Sequence, residues 1–222
     1  MPRSLPCPDV ALIVYILYNL PCCARLYHYE WYEPTIAREL RLAKQAIGIT
    51  AVRVFLHSMV FAADGGATLI ASLDDFLGKA ADEGIGVGLV FFDDCWNHAG
   101  LDLGATCQPV DGAHNGCWMA SPQDSEREAG LAAFEPYVKV VAGAFADDPR
   151  VLWWEVFNEP QDVDFSNQLR AAAYGWLHEV GVSAPIASCW DENEGTDLVD
   201  HHQYSVPWGG TANSVFHNNT GR

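Results

Sequence analysis

The chain has 222 residues, half of them hydrophobic, which is enough to bury a single sizeable core. Its formal net charge of −17 excludes nucleic acid and anionic membrane surfaces as partners. Seven cysteines fall at no regular spacing, and without a C-x-x-C pair they read as structural thiols rather than as a zinc site.

Met1 to Pro8 is irregular, with three prolines. The run Ala11-Leu-Ile-Val-Tyr-Ile-Leu-Tyr18 is too short to span a bilayer as a helix. Two readings of it stand: the first buried strand of a sheet, or the apolar segment of a signal peptide. Asp9 and the tyrosines favour the strand, and localisation stays open. Pro34 to Ile47 predicts a helix, with Ile36, Leu40, Ala43 and Ile47 as one apolar stripe and Gly48 as its stop. Ala51 to His57 follows as a strand, then a helix over about 68–83 closed by Gly84, then a strand over 85–92 that ends in Asp93-Asp94-Cys95-Trp96. Residues 97–125 carry no periodicity, as a long functional loop would.

A helix over about 131–145 precedes the most informative stretch, Val151-Leu-Trp-Trp-Glu-Val-Phe-Asn158-Glu159-Pro160. An uninterrupted bulky apolar run reads as a strand covered on both faces, as in parallel sheets. Pro160 stops it and leaves a carboxylate beside an amide at the strand's C-terminal end. A helix over 166–180 follows, with Leu169, Trp176, Leu177 and Val180 inward. Short strands over 185–190 and 198–204 come next, and a polar, glycine-rich segment runs from Ser205 to Arg222.

Strands alternating with helices predict βαβ units and a parallel sheet. His57, Asp93-Asp94, Asn158-Glu159, Trp190 and His202 to Tyr204 all lie at or just past strand C-termini. That spread fits an α/β (β/α)8 barrel, whose catalytic face is fed by every strand, better than a doubly wound sheet with one switch point. No internal repeat or linker divides the chain, so residues 1–222 are read as one partial barrel domain of about six βα units. Strand parity places Arg53 and Glu155 inward, where a structural ion pair satisfies both. Eight Trp and eight Tyr supply stacking surfaces for a neutral polar substrate such as a saccharide.

The segments Arg53-Val-Phe-Leu-His57, Phe91-Phe-Asp-Asp-Cys-Trp96, Asn158-Glu159-Pro160 and His202-Gln-Tyr204, in this order and spacing, give the chain a resemblance to clan A glycoside hydrolases. It is most similar to the family 5 cellulase/mannanase-type glycosidases, from about Asn19 to Tyr204. The resemblance implies a retaining hydrolase of β-linked glucan or mannan-type bonds, without cofactor or metal. Glu159 is then the general acid/base, protonated to assist the leaving group and afterwards a base on water. Asn158 would bond the sugar hydroxyl beside the reacting carbon, and Arg53 would orient the nucleophilic carboxylate. His57, Asp94, Trp96, His114, Trp190, His202 and Tyr204 are the remaining candidate substrate contacts.

Two departures stand out. Asp93-Asp94 replace the histidine that many relatives carry at the third strand's end. The family's nucleophile lies at the end of a seventh strand, and no carboxylate here matches it; Glu192 and Glu194 fall in a polar loop. Because such barrels need about 250 residues, the chain reads as a truncated fragment, inactive by itself and with bare strand edges. The rival readings are a non-catalytic saccharide-binding barrel, and a barrel hydrolase with a metal held by Asp93, Asp94 and His202.

Overall fold

The computed structural model describes residues 33–94, 121–122, 129–189, 196–199 and 217–218. Helix α1 (Glu33–Ile47) buries Ile36 and Leu40 and ends at Gly48, whose φ of 70° an L-residue rarely adopts. Ile47 is 56% exposed, so the predicted stripe stops one turn early, although the helix itself continues to Ile47.

Strand β1 (Ala51–Phe55) runs into a helix that periodicity did not announce, α2 (Ser58–Asp64). It has only seven residues and begins when the His57 Nδ1 accepts the Met59 N–H at 3.0 Å. Asp64 then caps α3 (Ala67–Asp82), taking N–H bonds from Gly66 and Thr68 and the Thr68 hydroxyl. These bonds, the Thr68 hydroxyl foremost, hold the Asp64 carboxyl below its ordinary pKa.

Strand β2 (Gly86–Asp93) and strand β3 (Val151–Asn158) are joined partly through a short 3-10 turn, Leu131–Ala133, and helix α4 (Glu135–Ala144). The predicted helix over 131–145 is thus split, because Pro136 starts a new helix in its first turn. Helix α5 (Asp164–Val180) buries Leu169, Ala173 and Leu177, with Trp176 and Val180 partly buried against them. Short strands β4 (Ile186–Ala187), β5 (Leu198–Val199) and β6 (His217–Asn218) complete the described elements.

The sheet order is β1-β2-β3-β4-β5-β6, each strand beside its neighbour in sequence. β1 to β5 are parallel, as the βα alternation predicts, and the order never reverses as a doubly wound sheet's does. These elements form an arc of a (β/α)8 barrel. β6 was not expected: it pairs antiparallel with β5 in the segment read as polar and glycine-rich, so the described sheet does not leave the edge of β5 bare. The strand read over 11–18 lies outside the described residues.

One sheet face carries Val52, Val54, Val87, Leu89, Phe91, Trp154 and Val156 against the helices, in one continuous core. The Phe91 and Trp154 rings stack at 5.6 Å, and the buried Tyr137 of α4 donates to the Phe91 carbonyl at 3.1 Å. The opposite face carries Arg53, Gly88, Val90 and Glu155 in register across three strands. Gly88 is required there, because a Cβ would run into the Trp153 ring; a Cβ at Gly86 would meet only the end of the exposed Leu152 side chain.

Candidate active site

The polar groups gather where β1, β2 and β3 end. Arg53 and Glu155, 7% and 2% exposed, form the two-pronged pair that strand parity predicts: Nε donates to Oε2 at 2.8 Å and Nη2 to Oε1. The same Nη2 donates to the Asn158 Oδ1 at 2.9 Å, and the Asn158 Nδ2 donates to the Asp93 Oδ1 at 2.9 Å. A guanidinium only donates and a carboxylate only accepts, so the two partners fix which way the Asn158 amide points. Asn158 is buried and held from both sides.

Asp94 is turned elsewhere. Its Oδ2 accepts the Gln161 N–H at 2.8 Å and the Ser166 hydroxyl at 2.5 Å, which ties the end of β2 to the loop leading into α5. Its own N–H donates to the Asn158 carbonyl at 3.3 Å. Glu159 stands at the rim, partly exposed, with a φ of 46°, a positive value among the non-glycine residues found at no other described position. Its N–H donates to the Sγ of Cys189, a buried residue just past β4. The Cys189 carbonyl in turn accepts from the Arg170 Nη1 at 2.9 Å.

Arg53, Asn158 and Glu159 are therefore brought together. His57 is buried at the end of β1, with Nδ1 spent on the helix cap. Trp96, His114, Trp190, His202 and Tyr204 lie outside the described residues. Asp93 joins the hydrogen-bonded chain that runs from Glu155 through Arg53 and Asn158; the sequence marked it as a strand-end residue and candidate metal ligand, not as the partner of Asn158. The signal was its register with Asn158 on the neighbouring strand. Among the described residues no three His, Cys, Asp or Glu side chains cluster as metal ligands, and no helix is long and apolar enough to cross a membrane. A surface groove lined by Gly143–Arg150 lies at the other end of the sheet, before β3 begins.

The sequence matches no protein-family model and no curated protein. Among solved structures, an endo-1,4-β-mannanase from Eisenia fetida matches at a TM-score of 0.55 and 12% identity, over 87% of this chain and 62% of that one. An endo-1,4-β-mannanase from Rhizomucor miehei matches at 0.49 and 15% identity, over 72% and 53%. The endoglucanase Cel5A of Pseudomonas stutzeri matches at 0.45 and 17% identity, over 70% and 42%. The chain spans less than two thirds of the length of each. Of these, the likeness to the Eisenia fetida mannanase carries the fold: the chain shares its barrel architecture.

Proposed function

We propose that the chain carries the acid/base half of a retaining glycoside hydrolase for β-linked glucan or mannan-type saccharides, with Glu159 as the proton donor. One observation carries the reading. Glu159 ends a parallel strand at the rim of the sheet, in a left-handed backbone, next to an asparagine clamped between Arg53 and Asp93. A strained residue at a barrel strand's C-terminal end is where catalytic groups of this architecture stand.

The chemistry assigned to these side chains is the following. Glu159 gives its proton to the glycosidic oxygen as the bond to the anomeric carbon breaks, and a carboxylate on the opposite side of the ring forms the glycosyl ester. Water then attacks the ester, Glu159 takes the water's proton, and the freed sugar keeps its original configuration. Asn158 gives one amide hydrogen to Asp93 and keeps the other for the hydroxyl beside the reacting carbon. Arg53 holds Asn158 and Glu155 in place, and Trp96, His114, Trp190, His202 and Tyr204 are proposed to line the saccharide site.

The nucleophile has no counterpart among the described residues, so the 222-residue chain by itself is expected to be inactive or nearly so on aryl β-mannosides and aryl β-glucosides. Turnover that disappears in Glu159→Gln would overturn the missing nucleophile and keep the acid. Turnover that survives this substitution would remove Glu159 from the mechanism, since losing a general acid costs about 10²–10⁴-fold. A second reading, a saccharide-binding barrel without catalysis, rests on the same absence among the described residues; it is separated from the first by a sequence continuation that supplies a strand ending in a carboxylate and restores hydrolysis.

A further inference from the structure

We infer that Asp94 and Cys189 are positioning residues that force Glu159 into its left-handed backbone; the inference rests on the reading of Glu159 as the proton donor. Asp94 grips the turn on both sides of Glu159-Pro160. Its N–H donates to the Asn158 carbonyl at 3.3 Å, ahead of Glu159, and its Oδ2 takes the Gln161 N–H at 2.8 Å, beyond Pro160. The Ser166 hydroxyl donates to the same Oδ2 at 2.5 Å and fixes the grip to the first turn of α5.

The third anchor falls between those two. The Cys189 Sγ accepts the Glu159 N–H at 3.3 Å, and the Cys189 carbonyl is held by Arg170 of α5 at 2.9 Å. Sulfur is a weak acceptor, so this bond directs the amide more than it stabilises the fold. The residues before, at and after Glu159 are thus tied to the end of β2, to the end of β4 and to α5. Pro160 works against this backbone, because the residue before a proline is pushed toward extended geometry, so the anchors must oppose it as well. A glutamate does not choose a φ of 46° by itself, and the surrounding anchors over-determine it. They act on the backbone of Glu159, through its own N–H and through the residues on either side of it.

A strain cycle tests this. Glu159→Gly and Glu159→Ala both remove the carboxyl, so their difference reports only the backbone strain. Glycine is expected to melt higher than alanine by about 2–4 °C, the shift that relief of one strained residue gives a chain of this size. In an Asp94→Ala background the advantage of glycine is expected to vanish, and in Asp94→Asn, whose side-chain oxygen still accepts, to remain. Cys189→Ala should reduce the advantage and Cys189→Ser restore it.

A merely structural Asp94 would lower every melting point and leave the glycine advantage intact. The Cys189 pair and Ser166→Ala decide the matter if Asp94→Ala does not fold. An advantage that persists in every alanine background, or that is absent with Asp94 and Cys189 in place, overturns the inference. Titration with β-1,4-linked mannotetraose reports separately on the saccharide reading, because the strain cycle involves no ligand.

Discussion

Both ends of β3 are rich in charge, and the two ends use it differently. At the N-terminal end Arg150 donates to Asp148 at 2.9 Å through Nε and to Asp74 at 2.6 Å through Nη2, with the side chains of Arg150 and Asp74 28% and 63% exposed. At the C-terminal end Arg53 serves Glu155 and Asn158, and all three are buried. The first cluster is hydrated and replaceable. In the second, removal of any member strands another polar group in the interior. A barrel can spend stability at one end and hold an exact geometry at the other, and the buried network is the end that holds Asn158 and Glu159.

Breaking that contrast gives the largest expected effect. Arg53→Met leaves Glu155 buried beside a thioether and should cost about 3–5 kcal/mol in urea unfolding. The double variant Arg53→Met with Glu155→Leu should recover most of that loss, because two apolar side chains leave no buried charge. Similar losses in the single and double variants would mean that packing, rather than the charge pair, matters there. The double variant is nevertheless expected to lose saccharide binding, since Asn158 would no longer be held from the Arg53 side.

At the opposite end, Arg150→Ala should cost less than about 1 kcal/mol at neutral pH. Hydrogen bonding from Arg150 is the main cause holding the Asp148 carboxyl below its usual pKa, with burial opposing it. A lowered folded pKa contributes stability above the unfolded value and loses it as pH falls through the folded one. The difference between the parent chain and Arg150→Ala should therefore shrink below pH of about 4. A difference that stays constant down to pH of about 2 would point to lost packing instead.

The smallest effect lies on the alkaline side. The Tyr174 hydroxyl donates to the Asp197 Oδ1 at 3.1 Å, and burial, followed by the Asp197 charge, pushes its pKa up to about 12. The unfolded tyrosine ionises near pH of about 10, so the native state loses stability as pH rises from that value to the folded one. Tyr174→Phe should flatten this limb by the slope of one proton and leave the remainder to Tyr137, which burial also raises. An unchanged limb would mean that Tyr174 is not held protonated in the fold.

Much of this was legible along the chain because the decisive signals are local. The bulky run from Val151 to Phe157 reads as a covered strand, and it is one from Trp154 onward while Leu152 stays exposed; the period of two put Arg53 and Glu155 inward. What escaped depends on contacts between distant segments. Helix α2 has no room for a period and is started by a histidine, which is not among the usual caps. No local pattern marks Gly88 as the place where the Trp153 ring lies against the neighbouring strand. Asp93 and Asp94 are the same residue type side by side. Only the register with Asn158 and the approach of Gln161 and Ser166 separate the one in the buried chain from the one that ties down a loop. β6 requires a partner strand that no local pattern names.

The most direct test of the central claim follows the Glu159 side-chain carboxyl by carbon-13 resonance while β-1,4-linked mannotetraose or cellotetraose is added to the purified chain. The account predicts a saturable shift of Glu159, accompanied by the Asn158 side-chain amide, with either sugar or both. Resonances of both residues that stay fixed up to millimolar saccharide, in a chain that is folded by its amide spectrum, would contradict it.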